Sequence, residues 1–273
     1  MYNKKILTTL LVCALSVTSL VAQSTLDEQS GGSPAPSKKS PEKGEAKQKM
    51  NIVKLNLMAL GLKNYSFQYE RILTKKISFA VGVRTMPTGE LPFLNSYVDD
   101  IADGDPDTEA SFRALRVGNF AITPEVRFYL NKKGYGRGFY IAPYYRYAKF
   151  KSEEFPVEYE SGSSSKTIKL KGDVATNSGG LMIGAQWHLG KVVTLDWWIL
   201  GAHYGKSKGT LTGVPSTPLT SQEQTNIKNE IEAIGEGIPL TKITADVSAN
   251  NVKAIIDGPW GGVRAGLTIG IKF

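Results

Sequence analysis

The residues able to do chemistry in this 273-residue chain share one peculiarity of spacing. Lys54, Glu70, Arg84, Glu125, Arg127, Arg146, Asp196, Arg264 and Lys272 all lie in stretches where apolar and polar residues alternate, and each falls on the polar phase. Ionisable groups of both signs on one face suit ion pairing in an enclosed space, where an unpaired charge is expensive. The two histidines, His188 and His203, are the only side chains with an ordinary pKa near neutrality. Alternation turns His188 to the same face as the charges, and His203 to the opposite face beside Tyr204. Neither has a serine or a carboxylate at a spacing used in nucleophilic or general acid–base catalysis. No phosphate-binding loop and no metal-ligand cluster stands out. The sequence therefore predicts no enzyme, no cofactor and no metal site.

Strands must position these residues. From Trp260 to Phe273, Val263, Ala265, Leu267, Ile269 and Ile271 alternate with Arg264, Gly266, Thr268, Gly270 and Lys272, a strand with one apolar and one polar face. Seven earlier runs read the same way: 51–60, 65–73, 77–86, 118–130, 138–150, 177–189 and 193–205. Pro124 lacks a ladder donor, which predicts a bulge or kink in the fourth run. Turns after runs one, two, four and six are short. The connections 87–117, 151–176 and 206–259 read as long polar loops. In the last of these, Thr220 and Glu223 form a capping-box pattern, and Ile227, Ile231 and Ile234 recur at helical spacing before Gly235. This predicts an amphipathic helix over Ser221–Ile234, serving as a lid over the mouth or as a ligand or adhesion surface.

The other end of the chain reads as an export signal. Lys4 and Lys5 precede the apolar run Ile6–Ala22, which is short for a spanning helix and ends on a small residue. Residues 1–22 are assigned as signal peptide. They contain the single cysteine, Cys13, so the mature protein has no thiol chemistry. Residues 23–50 are rich in Pro, Ser, Gly and Lys and read as a disordered periplasmic linker. The formal charge is +8, or +6 without Lys4 and Lys5. The charges are dispersed, which argues against nucleic acid and for anionic lipid headgroups.

Three features point to a membrane: loop lengths that alternate between the two ends, aromatics gathered near run ends, and a chain that stops on Phe273. Backbone groups in lipid must all pair, so such a sheet closes on itself. The chain from Asn51 to Phe273, with Asn64–Arg71 (NYSFQYER) in the second run and Gly258–Gly266 (GPWGGVRAG) in the last, resembles the small Gram-negative outer-membrane β-barrels similar to OmpX and the OmpA transmembrane domain. The resemblance implies an all-β fold: a closed antiparallel transmembrane barrel of about eight strands, with the helix in an extracellular loop. It implies localisation in the cell outer membrane, with lipid, lipopolysaccharide and the assembly machinery as partners and Phe273 as insertion signal.

Within such a barrel, Lys54, Glu70, Glu125, Arg127 and Asp196 fall in the lower half, where they are expected to pair as a salt-bridge plug. Arg84, Arg146 and Arg264 fall higher, without an acidic partner on the strands. They either make the outer mouth electropositive or pair with the loop acids Asp99, Asp100, Asp103 and Asp105. The expected role is structural or surface interaction with an extracellular ligand. The alternatives are a narrow porin-like channel for small anionic solutes or, less favoured, a lipid-modifying enzyme.

Overall fold

The computed structural model describes residues 48–61, 63–90, 113, 115–132, 134–237 and 242–273. The signal segment, nearly all of the linker and the loop acids Asp99, Asp100, Asp103 and Asp105 lie outside the described residues. The nine strands are β1 (Asn51–Asn56), β2 (Tyr65–Ile72), β3 (Ile77–Glu90), β4 (Arg116–Tyr129), β5 (Gly138–Ser161), β6 (Ser164–Leu189), β7 (Val193–Gly213), β8 (Ile243–Ser248) and β9 (Asn251–Lys272). Two helices are present among the described residues, α1 (Leu57–Gly61) and α2 (Ser221–Gly237). All strands join one antiparallel sheet in the order β1-β2-β3-β4-β5-β6-β7-β9-β8, and β9 also pairs with β1. A ring of hydrogen bonds results, with β8 added outside it on β9. The ring closes where Asn51 N donates to Phe273 O at 3.0 Å and Phe273 N donates to Asn51 O at 2.9 Å. Closure removes the unpaired edges of the ring itself, which would otherwise invite aggregation, and leaves β8 as an edge strand outside it.

The strands differ too much in length to make a regular barrel. β1 has 6 residues and β2 has 8, whereas β5 and β6 have 24 and 26. β1 stops early because Asn56 Oδ1 accepts from Ala59 N at 3.1 Å, capping the short turn of α1. The expected strand over 57–60 is therefore helical. At the other extreme, the expected loops 151–176 and 206–259 are largely ordered. The first is a hairpin extending β5 and β6 to a turn at Gly162, and the second holds the end of β7, α2, β8 and the start of β9. Alternating Lys, Glu, Ser and Thr made these stretches read as polar loops, yet their intervening residues are apolar and buried.

Two further expectations fail for reasons of register. Pro124 produces no bulge: Val81↔Pro124 sits in an unbroken β3–β4 register, and on the β5 side the pairing passes over the proline from Ile122↔Tyr147 to Glu125↔Tyr144 without a slip. The slip occurs in β7 instead. Ile183 pairs with Leu200, but Gly184 pairs with Trp198, leaving Ile199 as the extra residue of a bulge. One inserted residue inverts every side chain beyond it, because the period is two. Leu200 therefore turns outward, and His203 turns inward rather than to the outer surface.

The ring is inside out relative to a water-soluble protein. Lys54, Gln68, Glu70, Ser78, Glu125, Arg127, Gln186, Asp196 and Thr268 are buried, while Phe67, Phe79, Phe139, Leu181, Ile183, Ile269 and Ile271 are exposed. Followed outward along β5, β6, β7 and β9, the inner face of the sheet becomes apolar. Val157, Tyr159, Ile168, Leu170, Leu211, Val252 and Ala254 form a second core there with Ile227 and Ile231 of α2. The helix stripe is consumed by this packing, so it offers no exposed apolar surface. α2 starts at Ser221, where Thr220 N and Glu223 Oε2 meet at 2.8 Å, and it runs past Gly235 to Gly237 because Gly235 packs closely on Ile243.

Candidate functional site

Two groups of side chains occupy the interior of the ring at different heights. The inner group is built from β1, β2, β4 and β7, whose polar phases converge because the sheet is closed. Lys54 Nζ lies 2.5 Å from Glu70 Oε2 and 2.6 Å from Asp196 Oδ2. Arg127 reaches Glu125 at 2.6 Å, Asp196 at 2.6 Å and Glu70 at 3.4 Å. All five side chains are fully shielded from solvent. Neutral donors complete most of the shell, although Glu125 Oε2 has no hydrogen-bond partner among the described residues. Tyr140 donates to Asp196 Oδ1 at 2.8 Å, Tyr129 to Glu70 Oε1 at 2.7 Å, Ser78 to the same oxygen at 2.5 Å, and Trp198 Nε1 to Asp196 Oδ2 at 3.2 Å. Gln68 takes a hydrogen bond from Arg127 Nη2 at 2.9 Å and gives one to Glu125 Oε1 at 3.0 Å. Gln186 accepts from Lys54 at 2.5 Å and from Arg127 at 3.2 Å.

The aromatic members fit because glycines face them. Tyr140 crosses Gly184, where a Cβ would overlap its phenol, and Tyr144 crosses Gly180 in the same way. The Arg127 guanidinium lies 4.4 Å above the Tyr140 ring, an attractive cation–π arrangement. The result is a desolvated ion network with nearly every polar atom satisfied.

The outer group is different. Arg84, Arg146 and Arg264 project into the ring with His203, and they lie close enough to repel one another. Their hydrogen bonds are to neutral groups. Asn119 Oδ1 accepts from Arg84 Nη2 at 2.7 Å and Nε at 3.1 Å, and Thr123 Oγ1 accepts from Arg146 Nη1 at 3.2 Å. Arg264 stacks on Tyr144 at 4.9 Å and on Trp198 at 5.0 Å, and its buried Nη1 has no hydrogen-bond partner among the described residues. The described residues place no carboxylate at ion-pair distance from any of the three.

No family model matches this chain, and no curated protein matches it. The site is therefore read from its own geometry.

The ring thus brings Lys54, Glu70, Glu125, Arg127 and Asp196 together, and keeps Arg84, Arg146 and Arg264 apart from them. Lys272, also buried, stands near Glu70 and His188. His188 lies inside, accepting at Nδ1 from Arg137 Nε at 2.8 Å. His203 meets the Tyr144 hydroxyl at 3.3 Å. Neither histidine touches a serine, and no group of three metal-ligating side chains exists among the described residues. Attention to ionisable residues alone passes over Tyr129, Tyr140, Trp198, Gln68 and Gln186. All five stand on the polar phase of their strands, which is the signal that finds them. Phe273 is exposed at the seam of the ring.

Proposed function

We propose that this chain is an outer-membrane β-barrel protein of the Gram-negative type, with a structural or surface-interaction role and an interior closed by ion pairs. The reversed polarity of the ring carries this reading. Glu70, Arg127 and Asp196 are 0% exposed, while Phe67, Phe139 and Leu181 are 53%, 57% and 52% exposed. In water each exposed apolar side chain forgoes ~25 cal/mol per Å² of burial, a loss that disappears against lipid. Every backbone group of a hydrocarbon-spanning sheet must also pair internally, which a closed ring achieves. Farther out, the outer face of the strands changes character at Lys149–Asp173, Lys151–Glu153 and Lys169–Glu154, exposed ion pairs suited to water. Exposed Tyr145 and Tyr204 stand next to that change, as aromatic side chains do at lipid headgroups.

On this reading the ring spans the bilayer. The extension of β5–β9 with α2 stands outside it as a rigid platform, and lipid, lipopolysaccharide and the assembly machinery are the immediate partners. The resemblance to small outer-membrane barrels points the same way, and the N-terminal segment serves export. Heat-modifiable gel migration of the full chain, with carbonate-resistant membrane fractionation, tests the proposal. A shift between unboiled and boiled protein is expected, with recovery in the outer-membrane fraction. Recovery as soluble periplasmic protein without a shift overturns it.

The outer arginines favour a second reading, a narrow passage for small anions. Planar-bilayer recordings separate the two. Steady openings lost on Arg84→Ala plus Arg264→Ala favour the passage, and silent bilayers favour the closed interior.

A further inference from the structure

The inner and outer charge groups obey opposite rules in one enclosure. Inside, both Lys54 and Arg127 have carboxylates within ion-pair distance. Farther along the strands, with the Trp198 side chain lying between Asp196 and Arg264, three guanidiniums converge with no carboxylate at ion-pair distance among the described residues. Arg146 and Arg264 are 7% and 8% exposed. Buried like charges without counter-charge are unfavourable, and their free energy falls if an anion enters.

The donors are also aimed for one. Arg264 lies against both the Tyr144 and Trp198 rings, which restrict its orientation, and its Nη1 is buried with no hydrogen-bond partner among the described residues. Arg84 is oriented by the bidentate contact to Asn119, and Asn119 is itself anchored through Nδ2 to Lys149 O at 3.1 Å. Arg146 is oriented by Thr123. Each arginine is therefore positioned by a neutral group, and no described carboxylate compensates its charge. Rigid guanidinium forks match the oxygens of phosphate-like anions in charge and geometry.

We propose that Arg84, Arg146 and Arg264 form a binding site for one small oxyanion of the phosphate or sulfate class, entering from the interior of the ring. His203 and the Tyr144 hydroxyl border the site, and His203 lies within electrostatic reach of all three arginines. The site requires the closed ring and not the bilayer, so it stands or falls separately from the membrane reading.

The test uses the full chain, folded in a non-ionic detergent free of phosphate, with folding of every variant checked by its heat-dependent gel shift. Inorganic phosphate is titrated by calorimetry and by tryptophan fluorescence, to which Trp198 beside Arg264 contributes. Saturable one-site binding is expected, weakened at least tenfold by Arg264→Gln and by Arg84→Gln. Arg264→Lys should retain part of it, and the surface variant Lys171→Gln all of it. A short-chain phosphatidic acid below its micelle concentration forms the second arm. Binding of that lipid but not of free phosphate would assign the arginines to a headgroup and overturn a free-solute site. Absence of saturable phosphate binding up to about 10 mM, weaker than about −3 kcal/mol, overturns the proposal, as does binding that Arg264→Gln and Arg84→Gln leave unchanged. If Arg264→Gln does not fold, Arg84→Gln and Arg146→Gln decide the matter.

Discussion

Replacing Arg127 by methionine keeps most of the side-chain stem and deletes the charge at the centre of the inner network. Glu70 and Asp196 retain Lys54 at 2.5 Å and 2.6 Å. Glu125 does not: Arg127 is the only cation among the described residues at ion-pair distance from it. Removing one partner of a buried pair costs ~3–5 kcal/mol. With a urea dependence of roughly 2 kcal/mol per molar, the unfolding midpoint of Arg127→Met falls by about 2 M. Urea titration in detergent followed by tryptophan fluorescence measures it. Lys169→Met, which breaks an exposed pair at 2.7 Å, should stay within ~0.5 kcal/mol of the parent. A midpoint change below about 0.5 M for Arg127→Met would mean that the network is not stabilised by its ion pairs, and the argument for a closed interior would lose its energetic basis.

Four further outcomes follow from single contacts. Ile227→Asp, at a fully buried position of α2, should detach the helix from the strand extension at a cost above the ~2–5 kcal/mol of Ile→Ala; protease should then cut within 214–242 while the ring still shows its heat-dependent shift. Glu223 is held down to about pKa 2, first by the Ser161 hydroxyl and then by Thr220. Its folded value lies below its unfolded one, so its contribution is complete above about pH 4.5 and is lost as pH falls through about 2; amide exchange in the first turn of α2 should accelerate over that window in the parent and not in Glu223→Gln. Gly184→Val should push Tyr140 off Asp196, losing about 1 kcal/mol for the hydrogen bond and ~1–3 kcal/mol for overpacking, read as a lower urea midpoint. Deleting Phe273 removes both backbone bonds to Asn51 and, on the proposed membrane reading, should lower outer-membrane assembly in cells more than refolding in detergent; equal yields in cells would overturn the expectation that it acts as an insertion signal.

Much of the ring was legible because period-two alternation survives wherever one face is polar and the other apolar. Glu70 between Tyr69 and Arg71, or Asp196 between Leu195 and Trp197, reveals its facing without any structure. Two kinds of feature escaped. The strand extensions carry charged residues on one face, so stretches such as 164–176 look like loop, and their apolar partners become meaningful only once α2 covers them. The bulge at Ile199 has no local marker: neither Gly nor Pro occupies it, and its effect is to reverse His203 several residues away. Within the site, the ionised residues were recognisable by type, whereas Tyr129, Tyr140 and Gln186 join it through geometry. That no described carboxylate stands at ion-pair distance from Arg84, Arg146 and Arg264 follows from the strands on which acids occur, and the arrangement that leaves Arg264 Nη1 without a partner among the described residues is visible only in three dimensions.

Closure of the ring between β1 and β9 has a kinetic consequence. The bonds between Asn51 and Phe273 join residues 222 positions apart, and Lys54 meets Asp196 across 142 positions. Contacts of such sequence separation form late, because the entropy of closing a long loop must be met before they contribute. Until β9 docks, the ion network has one side open to solvent and its charges remain hydrated. The half-made sheet is correspondingly weak and easily undone, a property that would suit the export route proposed above. Docking of the last strand both removes the two free edges and dehydrates the charges, so the final step of folding is also the one that makes the structure hard to reverse.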